Sequence, residues 1–202
     1  MVRSTLARRL SIALSNLIVD DWRLLTTWAP VAGSGGERAI AFALGWHLKG
    51  VMERSWDVDC EYNRQGSGDA AAVKRWLVSA DQDRPPTITP DLIVHRRGRS
   101  GPDDNLVVIE IKKDDDGSEP RGARGSLSSI LNIQQQFGYQ HAVLLNLKLA
   151  EEGPDPHWTW VEFAERAKSP HEPVAVYGEG SLAALWKRGE SEDSRRYPPS
   201  DE

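Results

Sequence analysis

Residues 106–113 read Leu-Val-Val-Ile-Glu-Ile-Lys-Lys, a β-branched apolar run that carries a glutamate and a lysine two residues apart. This run constrains the fold more than any other stretch. Successive side chains of a strand point to opposite faces, so residues i and i+2 share one. Glu110 and Lys112 therefore point the same way, with Val108 behind them, while Ile109 and Ile111 point into a core. Charged residues seldom enter buried strands unless they are paired or used.

Around this strand the hydrophobic period changes twice. Leu6, Leu10, Leu14, Leu17 and Ile18 recur at helical spacing, which predicts a helix from near Thr5 to Ile18. After a break rich in Pro and Gly, Ile40, Leu44, Leu48 and Val51 form a second helical stripe. Ser34 and Glu37 have the S-x-x-E spacing of a capping box at its start. From Trp56 the period becomes two: Asp57, Asp59 and Glu61 alternate with Val58, Cys60 and Tyr62, as in a strand with one wet face. PDLIVHRR is a second strand and LVVIEIKK a third, joined by the polar turn GRSGPDDN as an antiparallel hairpin. SLSSILNIQQQFG predicts a helix stopped by Gly138, and the continuously apolar HAVLLNLKL a central fourth strand. HWTWVEF and PVAVYGE supply a fifth and a sixth strand, and SLAALWKRGE a closing helix. The expected fold class is α/β, a mixed sheet of about four to six strands flanked by helices. The domain is expected over residues 1–185, leaving 186–202 as a polar, flexible tail.

Composition narrows the setting. The 202 residues suffice for one sizeable domain, and no apolar run approaches the length needed to span a bilayer. Cys60 is the only cysteine, which excludes an intrachain disulfide and a cysteine-based zinc site and fits a reducing cytoplasmic compartment. A net charge of −5 argues against coating nucleic acid by bulk electrostatics, although a local basic rim remains compatible with it. Arg96, Arg97 and Arg99 form one such rim, and Arg121 and Arg124 another. Trp22, Trp28 and Trp46 lie in or beside apolar helical stretches, and Trp158 and Trp160 share a strand face; all are expected in the core.

Asp91 opens the second strand directly after Pro90, and antiparallel pairing of the hairpin brings it near Glu110. Two carboxylates and a lysine then converge. Pro90-Asp91 and Glu110-Ile111-Lys112, within the order helix, three strands, helix, strand over about residues 34–149, resemble the PD-(D/E)XK, or restriction-endonuclease-like, nuclease superfamily. The resemblance implies a restriction-endonuclease-like core of order α-β-β-β-α-β behind an extra N-terminal helix. It implies a nuclease dependent on Mg²⁺ or Mn²⁺, acting on nucleic acid, DNA before RNA. Asp91, Glu110 and the carbonyl of Ile111 would hold the cation, and Lys112 would contact the scissile phosphate. Glu37 matches the glutamate that many members place on the first core helix facing the metal, and is expected as a further ligand of the cation, in competition with its capping role. Gln135 is the choice for the glutamine that some members carry on the following helix. Arg97 and Arg121 are candidates for guiding substrate. A homodimer or a protein partner is compatible with the sequence, and so is the alternative of a catalytically silent binding or scaffold protein on the same fold.

Overall fold

A computed structural model describes residues 1–28, 35–61, 64–65, 72–73, 89–101, 103–114, 123–150, 153–161, 172–173 and 182–198. The elements in chain order are α1 (Arg3–Asp20), a π-helical turn (Leu24–Trp28), α2 (Gly35–Val51), β1 (Asp57–Cys60) and the short pair β2 (Arg64–Gln65) and β3 (Ala72–Val73). They continue with β4 (Leu92–His95), β5 (Asn105–Asp114), α3 (Ala123–Phe137), β6 (His141–Ala150), β7 (Gly153–Trp160), β8 (Glu172–Pro173) and α4 (Leu182–Arg196).

Five strands and the two-residue β8 make one open mixed sheet in the order β1-β4-β5-β6-β7-β8. β1, β4 and β5 form an antiparallel meander, β5 and β6 run parallel, and β7 returns antiparallel to β6. The parallel pair is joined through α3, as a crossover between parallel strands requires. The chain is therefore an α/β domain. No described helix is long and apolar enough to cross a membrane.

The strand parity read from the sequence sorts the side chains onto the two sheet faces. Leu92, Val94, Val107, Ile109, Ile111, Val143 and Leu145 pack with the stripes of α1 and α2, including Leu10, Leu14, Leu44 and Leu48. Ile93, Val108, Ala142 and Leu144 face the other way, against Ile130, Ile133 and Phe137 of α3. β5 and β6 lie inside the sheet and are covered on both faces, which explains why they read as nearly continuous apolar runs. α2 comes very close to the sheet at Gly45, where an added Cβ would lie 2.9 Å from both Cys60 Sγ and Leu92 Cδ1. Gly138 stops α3 with φ at 66°, and the Tyr139 amide donates to the carbonyl of Gln134, five residues back around the helix end.

Three expectations change. The tail expected from residue 186 is helical as far as Arg196. Leu185 is buried, and Gly189 comes so close to α1 that a Cβ would meet the Ile18 carbonyl at 2.7 Å. Arg23 and Asp193 then pair at 3.3 Å, as do Arg196 and Asp20. The closing helix expected over SLAALWKRGE thus continues to Arg196, and polar composition concealed only its last turns, because one narrow stripe is all that needs to be apolar. The fifth strand begins at Gly153 rather than His157. Pro154 and Pro156 lie in this added part, and among the described residues β8 pairs with His157 and Trp158. Finally, Trp158 and Trp160 are buried as expected, but Trp46 is 74% exposed. It sits two residues from both Leu44 and Leu48, about 200° around the helix from the buried stripe. The segment around SGDAAAVKRWLVSADQDRPP, apart from Ala72 and Val73, and most of PVAVYGE lie outside the described residues.

Candidate functional site

β4 begins at Leu92, opposite Ile109, so β5 continues past the start of its antiparallel neighbour. The amide of Ile111 consequently has no β4 backbone partner. It donates instead to Asp91 Oδ2 at 2.7 Å. The N–H and C=O of one strand residue project to the same side, so the Ile111 carbonyl is directed to the side where the Asp91 carboxylate lies. Pro90 just before Asp91 is buried, so the carboxylate is carried on a fixed piece of chain.

Lys112 and Glu110 share the α3-side face of β5, and Lys112 Nζ donates to Glu110 Oε1 at 3.1 Å. Glu37, from the first turn of α2, completes the cluster. Its Oε1 accepts from the backbone amide of Lys113 at 3.4 Å, and its Oε2 lies 4.0 Å from Lys112 Nζ. The helical spacing explains this reach, because Glu37 lies three and seven residues before Ile40 and Leu44 and so shares their inward face. Its carboxylate is thus engaged with β5, while Ser34, the other half of the expected capping box, lies outside the described residues.

Burial and the neighbouring Glu110 push the Asp91 carboxyl up to about 6, against the lowering effect of the Ile111 amide and Lys112. Burial alone would lower Lys112, but Glu110, Glu37 and Asp91 together outweigh it and raise its affinity for the proton. Three carboxylates and one cation converge, an excess of negative charge in a partly desolvated place. Such a place holds a cation well. The donors are oxygens: two carboxylates and a backbone carbonyl suit a hard divalent ion, and Mg²⁺ is usually held by one or two carboxylates plus water and substrate oxygens. Among the described residues no group of three His, Cys, Asp or Glu side chains gathers in ligand geometry, so any cation must draw on backbone, water or substrate oxygens as well.

Two further side chains extend the polar face. Asn146 lies opposite Lys112 in the parallel register and His157 opposite Asn146. Among the described residues the buried Asn146 Oδ1 has no hydrogen-bond partner, and His157 Nε2 lies 2.9 Å from Asp155 Oδ2. Sequence reasoning missed both. Parity within HAVLLNLKL places Asn146 on one face with Ala142 and Leu144, but its neighbour became apparent only with the β5–β6 register.

The other candidates fall elsewhere. Arg97 lies past the far end of β4, six residues and about 20 Å of extended chain from Asp91. It is bound to Asp59: Nε donates to Oδ2 at 2.8 Å and Nη2 pairs with Oδ1, while its amide donates to Asp57 Oδ2. His95 is buried and also meets Asp59 Oδ2, at 2.8 Å. Although burial raises the Asp59 carboxyl, the bonds from Arg97 and His95 win and hold it below the usual carboxylate range. Asp59 is therefore the centre of a structural ion pair at the hairpin end of the sheet. Gln135 is exposed. The last turn of α3 is fixed at the beginning of β5, where Asn105 Nδ2 donates to the Phe137 carbonyl at 2.6 Å. That is five residues, about 17 Å of strand, from Glu110, so Gln135 is not brought to the cluster. Arg121 lies outside the described residues.

No family model, curated protein or solved structure matches this chain.

Proposed function

We propose that this chain is a divalent-metal-dependent nuclease of the restriction-endonuclease-like kind, acting on DNA. The observation that carries the reading is the convergence of Asp91, Glu110, Lys112 and Glu37 at one end of the β4–β5 pair, with the Ile111 backbone locked to Asp91. The order α2, β1, β4, β5, α3, β6, with an antiparallel meander followed by a parallel crossover, agrees with that superfamily's core.

The chemistry follows from the charges. Hydrolysis of a phosphodiester adds negative charge to a group that is already anionic. A bound Mg²⁺ or Mn²⁺ supplies Lewis acidity and lowers the pKa of water. Asp91 and Glu110 would hold the ion, with the Ile111 carbonyl as a third oxygen. Glu37 would position Lys112, whose ammonium is a compact cation with three donors. With Glu110 engaged as a ligand, Lys112 Nζ, which now donates to Glu110 Oε1, would be free to contact a non-bridging phosphate oxygen and orient the attacking water.

Cleavage of labelled single- and double-stranded DNA and RNA, with Mn²⁺, with Mg²⁺ and with chelator, tests the proposal against Asp91→Ala and Lys112→Ala. Metal-dependent cutting by the unaltered chain, reduced at least a hundredfold in both variants, is the expected result. No cutting of any polymer under any condition would overturn it in favour of a silent nuclease-fold protein.

A further inference from the structure

α2 carries Glu37 into the candidate site on one side and an unexpected surface on another. Phe42 is 67% exposed and Trp46 74%. They stand four residues apart, with Arg38 four residues before them, also largely exposed and 2.7 Å from Glu61 Oε1. At 100° and 1.5 Å per residue, these three side chains follow one flank of the helix, each about 6 Å beyond the last. The flank begins at the site. Glu37 adjoins Arg38 in the chain, and the amide of Glu61 donates to the backbone carbonyl of Asp91 at 3.2 Å.

We infer that Phe42 and Trp46 form a stacking platform for the bases of a single-stranded nucleic-acid segment that enters or leaves the site, with Arg38 at its site end. The inference rests on the nuclease reading and names its substrate class. Among the described residues, the buried face of α2 is already filled by Ile40, Leu44 and Leu48, and Phe42 and Trp46 stand outside that core. The two rings offer at most about 400 Å², roughly half of what each partner contributes to a standard protein interface. Their rise of about 6 Å is close to the reach of an unstacked, extended strand and nearly twice the 3.4 Å step of stacked bases in a duplex strand. A base in a duplex has its π-faces covered by its neighbours, whereas a single strand offers them to aromatic side chains. The net charge of −5 points the same way, because a chain without bulk positive charge gains affinity from stacking rather than from phosphate neutralisation alone.

The test is binding of a fluorescein-labelled oligothymidylate of about 15 nucleotides, and of a blunt duplex of the same length, by the full chain in chelator. The variants are Phe42→Ala, Trp46→Ala and Trp46→Phe, all at exposed positions. The expected result is a loss of about tenfold in single-strand affinity for each alanine, substantial rescue by Trp46→Phe, and duplex binding unchanged. Cleavage of a short dinucleotide substrate with Mn²⁺ stays within about twofold in these variants, whereas Asp91→Ala abolishes it. Unchanged single-strand affinity in Trp46→Ala overturns the platform, as does an equal loss for strand and duplex. Concentration-dependent self-association that Trp46→Ala removes, with no oligonucleotide binding by any form, assigns the face to a second copy and also overturns it. The dinucleotide assay reports on the nuclease reading separately.

Discussion

Asp91 concentrates the physical tension of the molecule. Its carboxyl is raised from 3.8 to about 6 by burial and by Glu110, so folding favours the protonated form. A folded value above the unfolded one contributes stability that is fully present below about pH 4 and is lost as pH rises through about 6. The metal-free chain should therefore lose on the order of 2–3 kcal/mol from this group between pH 4 and pH 7.5. Asp91→Asn keeps an oxygen for the Ile111 amide and removes the buried charge. It should raise the melting temperature of the metal-free chain at pH 7.5 and leave it nearly unchanged near pH 4, as thermal denaturation across pH would show. Mn²⁺ should do for the unaltered chain at pH 7.5 what the substitution does, and much less at pH 5, where protons compete for the same oxygens. A melting temperature indifferent to Mn²⁺ at pH 7.5 would speak against the site. Asn105 illustrates a purely structural polar residue. Its amide is buried and satisfies the last carbonyl of α3, so Asn105→Ala should cost about 1–3 kcal/mol in urea unfolding without altering metal affinity.

Helices and strands show which parts of the sequence were legible and why. The stripes of α1 and α2 and the parity of β5 were readable because each buries a broad apolar face, and amphipathic period reports burial. The charged pair of β5 and the Pro-Asp before β4 were readable because their residue types are out of place in a strand. The first half of α4 was readable from its apolar SLAALW run, but its last turns were not, because there it meets the rest of the chain through one small residue, Gly189, and ion pairs to Asp20 and Arg23, none of which produces periodicity. Trp46 was misplaced because an apolar helix invites every tryptophan into its core, although an angle of about 200° from Leu44 rules that out. Gln135 and Arg97 were placed by residue type alone, and type does not reveal which end of an element approaches the site. The close helix–sheet approach provides a test at this scale. Gly45→Ala must displace Cys60 Sγ or Leu92 Cδ1 from 2.9 Å, and should destabilise the chain by about 1–3 kcal/mol despite alanine's better helix propensity. Unchanged stability in that variant would mean that α2 sits farther from the sheet.

At the scale of the whole molecule, the sheet has two chemically distinct ends. At the hairpin end the charges cancel: Asp59 is matched by His95 and Arg97, Asp104 by Arg96, and Arg96 also stacks on Trp56 at 4.4 Å. At the other end, among the described residues, three carboxylates, Asp91, Glu110 and Glu37, converge on Lys112. Burial raises the Cys60 thiol to about 11, helped by Asp59, Glu61 and Asp91, so near neutral pH it remains protonated. This second end is where a divalent ion and a phosphate would restore neutrality; among the described residues its side chains come from the β4–β5 pair and α2, while Arg97 is bound at the opposite end. The most direct measurement is anomalous diffraction from crystals of the full chain grown with Mn²⁺. The account predicts a single strong peak within roughly 2.1–2.3 Å of oxygens of Asp91 and Glu110, with Lys112 Nζ moved off Glu110. An unaltered Lys112–Glu110 pair at 3.1 Å and no peak between the two carboxylates would contradict it.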